Sequence, residues 1–398
     1  MKCKMYLLAL SAMALATGCS NDETTELNKG NAIDFSVTAG KLTRAEAITT
    51  NTIKEFKVWA FTDGKTYMDG TPVTKSDGKW TYTGTKFWPE TDVDFFAISP
   101  MAPKKGTLNI TNEQKELTDY EVENGSEDLL YAANFGETKR DAKNNTPVGI
   151  NFRHALSQIV FKAKLTDNST IDVDIAGITI DGVANKATLT WASATTGSNL
   201  TTTDNDTETG STWGTWSKPE GTKSYFMNAV VDGNTQNVFL TLNSQMGVNE
   251  SPIGEPLFLM PQTLNPWLTM KDNNAKVTGT ARLLIKCKIT DRESGAVLWP
   301  KQTTEGSGYA DVAISLDNPK NDPNRESDSE DNDPKHDKWM QGKKYTYTLI
   351  FGEGGGYTPD PEGPDPDPVL VPIKFEVTVD EFQDGGEYDL NANNPANP

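Results

Sequence analysis

Cysteine and histidine are almost missing from this chain: its 398 residues include three of the first and two of the second. Too few thiols remain for a disulfide framework, so a proper apolar core must hold the fold together. The scarcity also removes the usual catalytic and metal-binding sets. His154 lies in an apolar strand and suits a structural hydrogen bond, whereas His336 sits in an acidic loop. No Ser/His/Asp set, Cys/His pair, Gly-rich phosphate loop or metal-ligand spacing accompanies them. A carboxylate pair for glycoside hydrolysis has no motif to nominate it. The chain is therefore expected to be no enzyme and to need no cofactor or metal. Basic residues are in deficit: 37 Lys and Arg against 56 Asp and Glu give a net charge of −19 and a pI near 4.6. Phosphate binding needs a basic face, so nucleic acid is excluded as a partner. The acidity is spread out and reads as a solubility feature of a surface protein. Beyond the first residues no apolar run is long enough to span a bilayer.

What the N-terminus does carry is a leader. Lys2 and Lys4 precede an apolar run from Met5 to Ala16, about 12 residues against the roughly 20 that a membrane span requires. That length fits the core of a secretory signal peptide. The run closes on Leu15-Ala16-Thr17-Gly18-Cys19-Ser20, which resembles the lipobox of bacterial lipoproteins, although Leu15 lies one position further from the cysteine than usual. The expectation is removal of residues 1–18 and acylation of Cys19. More than one acyl chain there would anchor the protein firmly to the outer membrane, since a single chain binds only marginally. The plainer alternative is a signal peptide with an incidental cysteine. Ser20-Asn21-Asp22-Glu23 resembles the acidic export tag of Bacteroides-type surface lipoproteins. Cys287, in the apolar run Leu283 to Cys287, reads as a buried small hydrophobe.

From residue 31 onward, short segments alternate apolar and polar residues with period two, the pattern of half-buried strands. Ile33 to Val37, Phe56 to Phe61, Lys79 to Thr83, Gln158 to Lys164, Ile178 to Ile180, Val238 to Leu242, Ala281 to Ile289 and Tyr345 to Phe351 all follow it. Asp63-Gly64 and Asp77-Gly78 are turn signals between such runs. No long amphipathic helix is visible, and only Thr111 to Leu117 and Glu127 to Ala133 have room for brief helices. Many short strands with turn-rich spacing indicate all-β sandwiches. The expected division is an N-terminal segment at 19–44, one sandwich at 45–149 and a larger one at 150–351. Ser193 to Gly210 and Asp317 to Asp337 are too polar to form a core and are expected to be surface loops. Asp204-Asn205-Asp206 lacks the ligand spacing, central Gly and closing Glu of an EF-hand.

Residues 352–368 form a Gly-rich hinge followed by a stiffer Pro-Asp-Pro spacer. The tail at 369–398 then opens with an alternating strand, Ile373-Lys374-Phe375-Glu376-Val377-Thr378-Val379. An isolated strand needs a partner for its backbone and its apolar face. It must fold back onto its own domain or pair with another chain.

Taken together, these segments resemble the fimbrillin family, the pilus-building lipoproteins of Bacteroidales. The resemblance rests on the lipobox, Leu42-Thr43-Arg44-Ala45, Phe56 to Phe61, Phe87-Trp88-Pro89, Asp94-Phe95-Phe96-Ala97 and Asp128 to Ala132. It continues through Phe152 to Ser157, Met260-Pro261-Gln262 and Trp339 to Tyr347. It implies two tandem transthyretin-like β-sandwich domains after a lipoprotein signal peptide, and assembly with other pilus subunits by strand exchange. An Arg-specific surface protease would cut between Arg44 and Ala45. The released segment carries Ile33, Phe35 and Val37, and a neighbouring subunit's strand fills the vacated groove by β-augmentation. A head-to-tail contact that does not close on itself makes a filament. Ile373, Phe375, Val377 and Val379 are the candidate donor residues, with the cis alternative left open. The competing expectation is a surface glycan-binding lipoprotein, for which Trp213 and Trp216 would stack on sugar rings; the bland reading is that they cover a sandwich edge.

Overall fold

The computed structural model describes residues 32–38, 52–139, 147–192, 214–230, 239–244, 249–265, 267–271, 274–277, 279–300, 308–316, 338–352, 358 and 373–381. Among the described residues every regular element is a strand, and the protein is all-β. The first stretch holds β1 (Phe35–Thr38), β2 (Glu55–Thr62), β3 (Lys65–Ser76), β4 (Lys79–Thr81), β5 (Val93–Ser99), β6 (Thr107–Ile110), β7 (Lys115–Glu121) and β8 (Leu130–Glu137). Next come β9 (Val148–Asn151), β10 (Arg153–His154), β11 (Ser157–Leu165), β12 (Ile171–Val183), β13 (Lys186–Thr190), β14 (Thr215–Trp216), β15 (Lys223–Asn228), β16 (Leu240–Leu242), β17 (Ser251–Leu259) and β18 (Gln262–Thr263). The last are β19 (Leu268–Lys271), β20 (Asn274–Val277), β21 (Arg282–Asp291), β22 (Val297–Trp299), β23 (Ala310–Ser315), β24 (Lys338–Trp339), β25 (Lys343–Phe351) and β26 (Ile373–Glu381).

The two Asp-Gly pairs make the tight turns their chemistry favours. Asp63 and Gly64 (φ 49° and 68°) join β2 to β3, and Asp77 and Gly78 (φ 50° and 78°) join β3 to β4. Positive φ at both central residues matches the right-handed twist of the flanking strands. These hairpins build one end of a six-stranded sheet ordered β10-β8-β5-β2-β3-β4. Both faces of that sheet are covered. Phe56, Val58 and Ala60 of β2 belong to one apolar cluster with Phe95, Ala97, Leu130 and Ala132. Trp59 and Phe61 belong to another with Phe96, Ile98, Leu129 and Tyr131.

Neither of the two stretches with room for a brief helix is helical, for two different reasons. Leu129 and Leu130 are adjacent in sequence and both fully buried, because they point to opposite cores, so the residues around β8 show no clean alternation. At Thr111 the hydroxyl accepts hydrogen bonds from the backbone N–H groups of Glu113 (3.2 Å) and Gln114 (3.0 Å). The same chemistry caps helices, but here it closes the turn between β6 and β7.

The second half is organised around long central strands. β11 pairs β17 antiparallel and β25 in parallel, and β12 is flanked by β15, β16 and β21. Cys287 on β21 is fully buried among apolar neighbours, and burial pushes its thiol far above the ordinary range. The strand β9 spans residues 148–151, across the position where the sequence suggested a boundary. The hairpin β6–β7 pairs with β13, so a four-stranded sheet (β14-β13-β7-β6) joins residues from both halves. The junction is also polar: the Tyr131 hydroxyl accepts from the Gly214 N–H (2.8 Å) and donates to Gln341 Oε1 (3.2 Å), while Gln341 Nε2 donates to the Gly214 carbonyl (2.7 Å).

Candidate functional site

The six-stranded sheet needs a lid over its second apolar face, and β1 supplies half of it. β1 pairs in parallel with β9, Phe35 opposite Val148 and Val37 opposite Ile150, and the two strands form a sheet of their own. Alternation sends Ile33 (0% exposed), Phe35 (5%) and Val37 (8%) inward. Phe35 sits 5.9 Å from Phe56, 5.9 Å from Phe95 and 5.6 Å from Tyr82 between ring centroids, with edge-on or tilted geometry. Burying three such side chains is worth about 1.5–3 kcal/mol each before the entropy of ordering.

Besides its four-residue ladder with β9, the backbone of this segment is held at a few further points. The Val148 N–H donates to the Asp34 carbonyl (2.7 Å), and the Ile33 N–H donates to the Lys86 carbonyl (2.8 Å). On that second side only an isolated bridge, Ala32 to Phe87, continues the pairing. The Tyr82 hydroxyl donates to the Ile33 carbonyl (2.8 Å) and accepts from the Lys86 N–H (3.2 Å). Burial, with the Asp34 charge nearby, raises the Tyr82 phenol and keeps it a donor. Asn134 Nδ2 donates to the Gly149 carbonyl (2.8 Å), tying β9 to the sheet independently of β1. β1 is thus a four-residue edge strand held by its ladder with β9 and by its buried side chains, over a six-stranded sheet whose own pairings do not include it. Phe35→Ala should remove about 3–5 kcal/mol of that anchoring. Thermal unfolding of the full chain should show the melting temperature of this unit lowered by several degrees, with Phe35→Leu recovering most of it. An unchanged transition would mean that β1 does not occupy the groove in solution.

The C-terminal strand is also at an edge. β26 pairs antiparallel with β25 from Phe351 opposite Ile373 to Lys343 opposite Glu381, and among the described residues no strand pairs with its other side. Ile373 is fully buried and Val377 packs against the main core from a half-buried position. In the single chain, therefore, this segment lies on its own sheet. The side chains of Phe375 and Val379 lie outside the described residues, as do Cys19, Arg44 and Ala45; Arg44 falls between the end of β1 and the start of β2.

The remaining candidates resolve as structural groups or lie outside the description. Trp216 is no open platform for sugar: its indole N–H donates to the Ala155 carbonyl (2.7 Å) and its ring packs on Tyr120 at 5.8 Å. Trp213, His336 and Asp204 to Asp206 fall outside the described residues. His154 is buried, with Nδ1 2.9 Å from Asp128 Oδ1, which fits the hydrogen-bonding role expected of it. Sequence reasoning missed β9 and Tyr82 as parts of the groove. Val148 and Ile150 do alternate with polar or small residues, but four residues are too few to distinguish that strand from the apolar series after it.

Fold and groove together define a multi-sheet β protein in which a short edge strand closes an apolar sheet face. More particularly, the chain belongs to the Fimbrillin-like family, whose sequence profile matches residues 43–380. The fimbrium subunit Fim1C of Phocaeicola vulgatus is 27% identical over 217 residues, covering 46% of this chain and 57% of that protein, so the match spans little more than half the relative's length. A crystal structure of a fimbrial protein from Bacteroides vulgatus superposes with a TM-score of 0.49 at 16% identity, covering 89% of this chain and all of that one.

Proposed function

We propose that this protein is a surface pilus subunit that assembles by protease-gated strand exchange. The observation that carries the reading is the placement of β1: Phe35 and Val37 on this short edge strand, with Ile33 just before it, close the apolar face of a sheet that the rest of the chain holds together. Cleavage after Arg44 by an Arg-specific surface protease would leave β1 attached by non-covalent contacts alone. Its departure would bare the face lined by Phe56, Val58, Phe95 and Leu130, together with one edge of β9. A strand from a neighbouring subunit then supplies both the apolar side chains and the backbone bonds, and a head-to-tail series of such contacts builds a fimbrium. The precursor reaches the outer membrane as a lipoprotein acylated at Cys19.

N-terminal sequencing of protein sheared from the cell surface tests the processing directly. A start at Ala45 is expected, and a blocked start at Cys19 in all assembled material would remove protease gating. Cys19→Ser should abolish labelling by radioactive fatty acid and leave the protein unanchored in the periplasm; unchanged labelling would rule out Cys19 as the acylation site.

A further inference from the structure

The sheet ordered β15-β12-β21-β22, joined by β16 and β23, turns one face to the main core and one outward. Tyr225 and Met227 of β15, Ile285 and Cys287 of β21, and Val312 and Ile314 of β23 point inward. Alternation therefore puts Phe226, Gly177, Lys286 and Asp311 on the outward face, and the register aligns the last three across β12, β21 and β23. One end of that face is roofed. Trp267 packs in one small cluster with Ala313, Leu284 and Val277, and the Arg282 guanidinium lies 5.5 Å from its ring.

The other end is bare and aromatic. Phe226 is 59% exposed and Phe239 42%, two of the four large apolar side chains left in solvent among the described residues. Burial is the rule for such side chains, so two on one sheet face call for a reason. Phe226 lies over Gly177, where a Cβ would come within 2.7 Å of the ring. Phe239 meets Tyr309 at 5.9 Å between ring centroids. The residues that follow them, Leu240 and Ala310, pack against the core, so both rings turn outward.

Charges of both signs stand among these rings. Asp311 faces Lys286 across the ladder, and Asp174 faces Lys288. Thr241 Oγ1 donates to Asp174 Oδ1 (2.6 Å). Burial, with the Asp174 charge nearby, raises the Tyr309 phenol and keeps it a donor. The Asp311 carboxyl is pushed up by burial against the pull of Lys286 and Arg282, and among the described residues nothing donates a hydrogen bond to it.

We propose that this face is a binding site for a neutral oligosaccharide, with Phe226 and the Phe239–Tyr309 pair as stacking platforms and Asp174, Asp311 and Lys286 as its hydrogen-bonding groups. The C–H groups of a pyranose ring carry partial positive charge and settle on the negative face of an aromatic ring. Its hydroxyls both donate and accept, so they use carboxylates and ammonium groups side by side. The paired charges decide against other occupants. An anion would meet Asp174 and Asp311, and a cation would meet Lys286 and Lys288. An apolar protein surface would bury the Asp311 carboxylate without a partner. From β15 to β23 the face spans three strand spacings, about 14 Å, which suits a short chain of sugars better than one ring. The site stands apart from strand exchange, since none of its residues belongs to the cluster beneath β1.

An array of neutral oligosaccharides of glucose, galactose, mannose, N-acetylglucosamine and fucose, with sialylated and sulfated chains beside them, tests the site on the full-length protein. Binding to at least one neutral chain is expected, and calorimetric titration with that chain gives the affinity. Phe226→Ala should weaken it by about tenfold, and Phe226→Trp should preserve it. Asp311→Ala should also cost about tenfold, whereas Asp311→Asn keeps a carbonyl acceptor and should lose less than about threefold. Phe226 is exposed on an edge strand, so the circular dichroism of its variants should match the parent protein. Stronger binding to the sialylated or sulfated chains overturns the proposal, as does an affinity unchanged in Phe226→Ala or in Asp311→Ala. Binding to none of the neutral chains overturns it too; if Phe226→Ala then dissociates oligomers in sedimentation, the face is a contact between copies.

Discussion

Arg44→Ala is expected to yield a full-length lipoprotein that reaches the surface and forms no filaments. While the chain is intact, β1 remains tethered to β2 through residues 39–54, and its competition for the groove is intramolecular. A short tether holds such a segment at an effective concentration on the order of millimolar, which favours it over a free strand at micromolar concentration by about a thousandfold. Side-chain burial of Ile33, Phe35 and Val37 adds to that advantage. Cutting after Arg44 abolishes the tether while leaving every contact in place, so the strand becomes replaceable without first being expelled. Negative-stain electron microscopy and sedimentation should show filament yield falling by about a hundredfold or more. With an Arg-specific enzyme, Arg44→Lys should behave like Arg44→Ala. Filaments of ordinary abundance from the alanine variant would exclude the gating role.

Deleting residues 369–398 is expected to leave a folded monomer unable to pass a strand onward. The structure sets the cost of that deletion. β26 contributes the fully buried Ile373 and the half-buried Val377, but among the described strands it pairs with β25 alone, and β25 keeps its parallel ladder with β11 from Lys344 to Phe351. The aromatic residues Tyr345, Tyr347 and Phe351 stay supported from within the core by Phe161, which stacks on Tyr347 at 5.4 Å. Circular dichroism should retain the β signal, with a melting temperature lowered by a few degrees, while filaments disappear. The bared edge of β25 is the weak point, because an unpaired strand edge invites association; size-exclusion chromatography should be run at low protein concentration. Loss of the folded signal would make β26 an integral strand of its own sheet and assign this subunit to a tip.

The legible part of the fold was local. Lys79 to Thr83, Gln158 to Lys164 and Ala281 to Ile289 announce strands because one face of each meets the core and the other meets more polar surroundings. Asp63-Gly64 and Asp77-Gly78 announce turns because few other dipeptides adopt positive φ at both positions so readily. Where burial came from both sides, as at Leu129 and Leu130, the alternation vanished and a helix became a plausible reading. Trp216 shows the same limit for sites. A tryptophan in a polar loop looks like a platform until the fold brings the Ala155 carbonyl to its N–H and Tyr120 to its ring.

The all-β class, the acidity and the alternating strand from Ile373 to Val379 could be read directly from the sequence. Each of these is written in residues close together along the chain, in period-two patterning, turn dipeptides and composition. The pairing of β1 with β9, the cover that this pair gives the second face of the six-stranded sheet, and the seating of β26 on β25 are written in no local stretch of the chain. Those choices join Phe35 to Val148 and Ile373 to Phe351. A strand's own residues say which of its faces is apolar; which distant strand covers that face depends on how all the sheets pack at once.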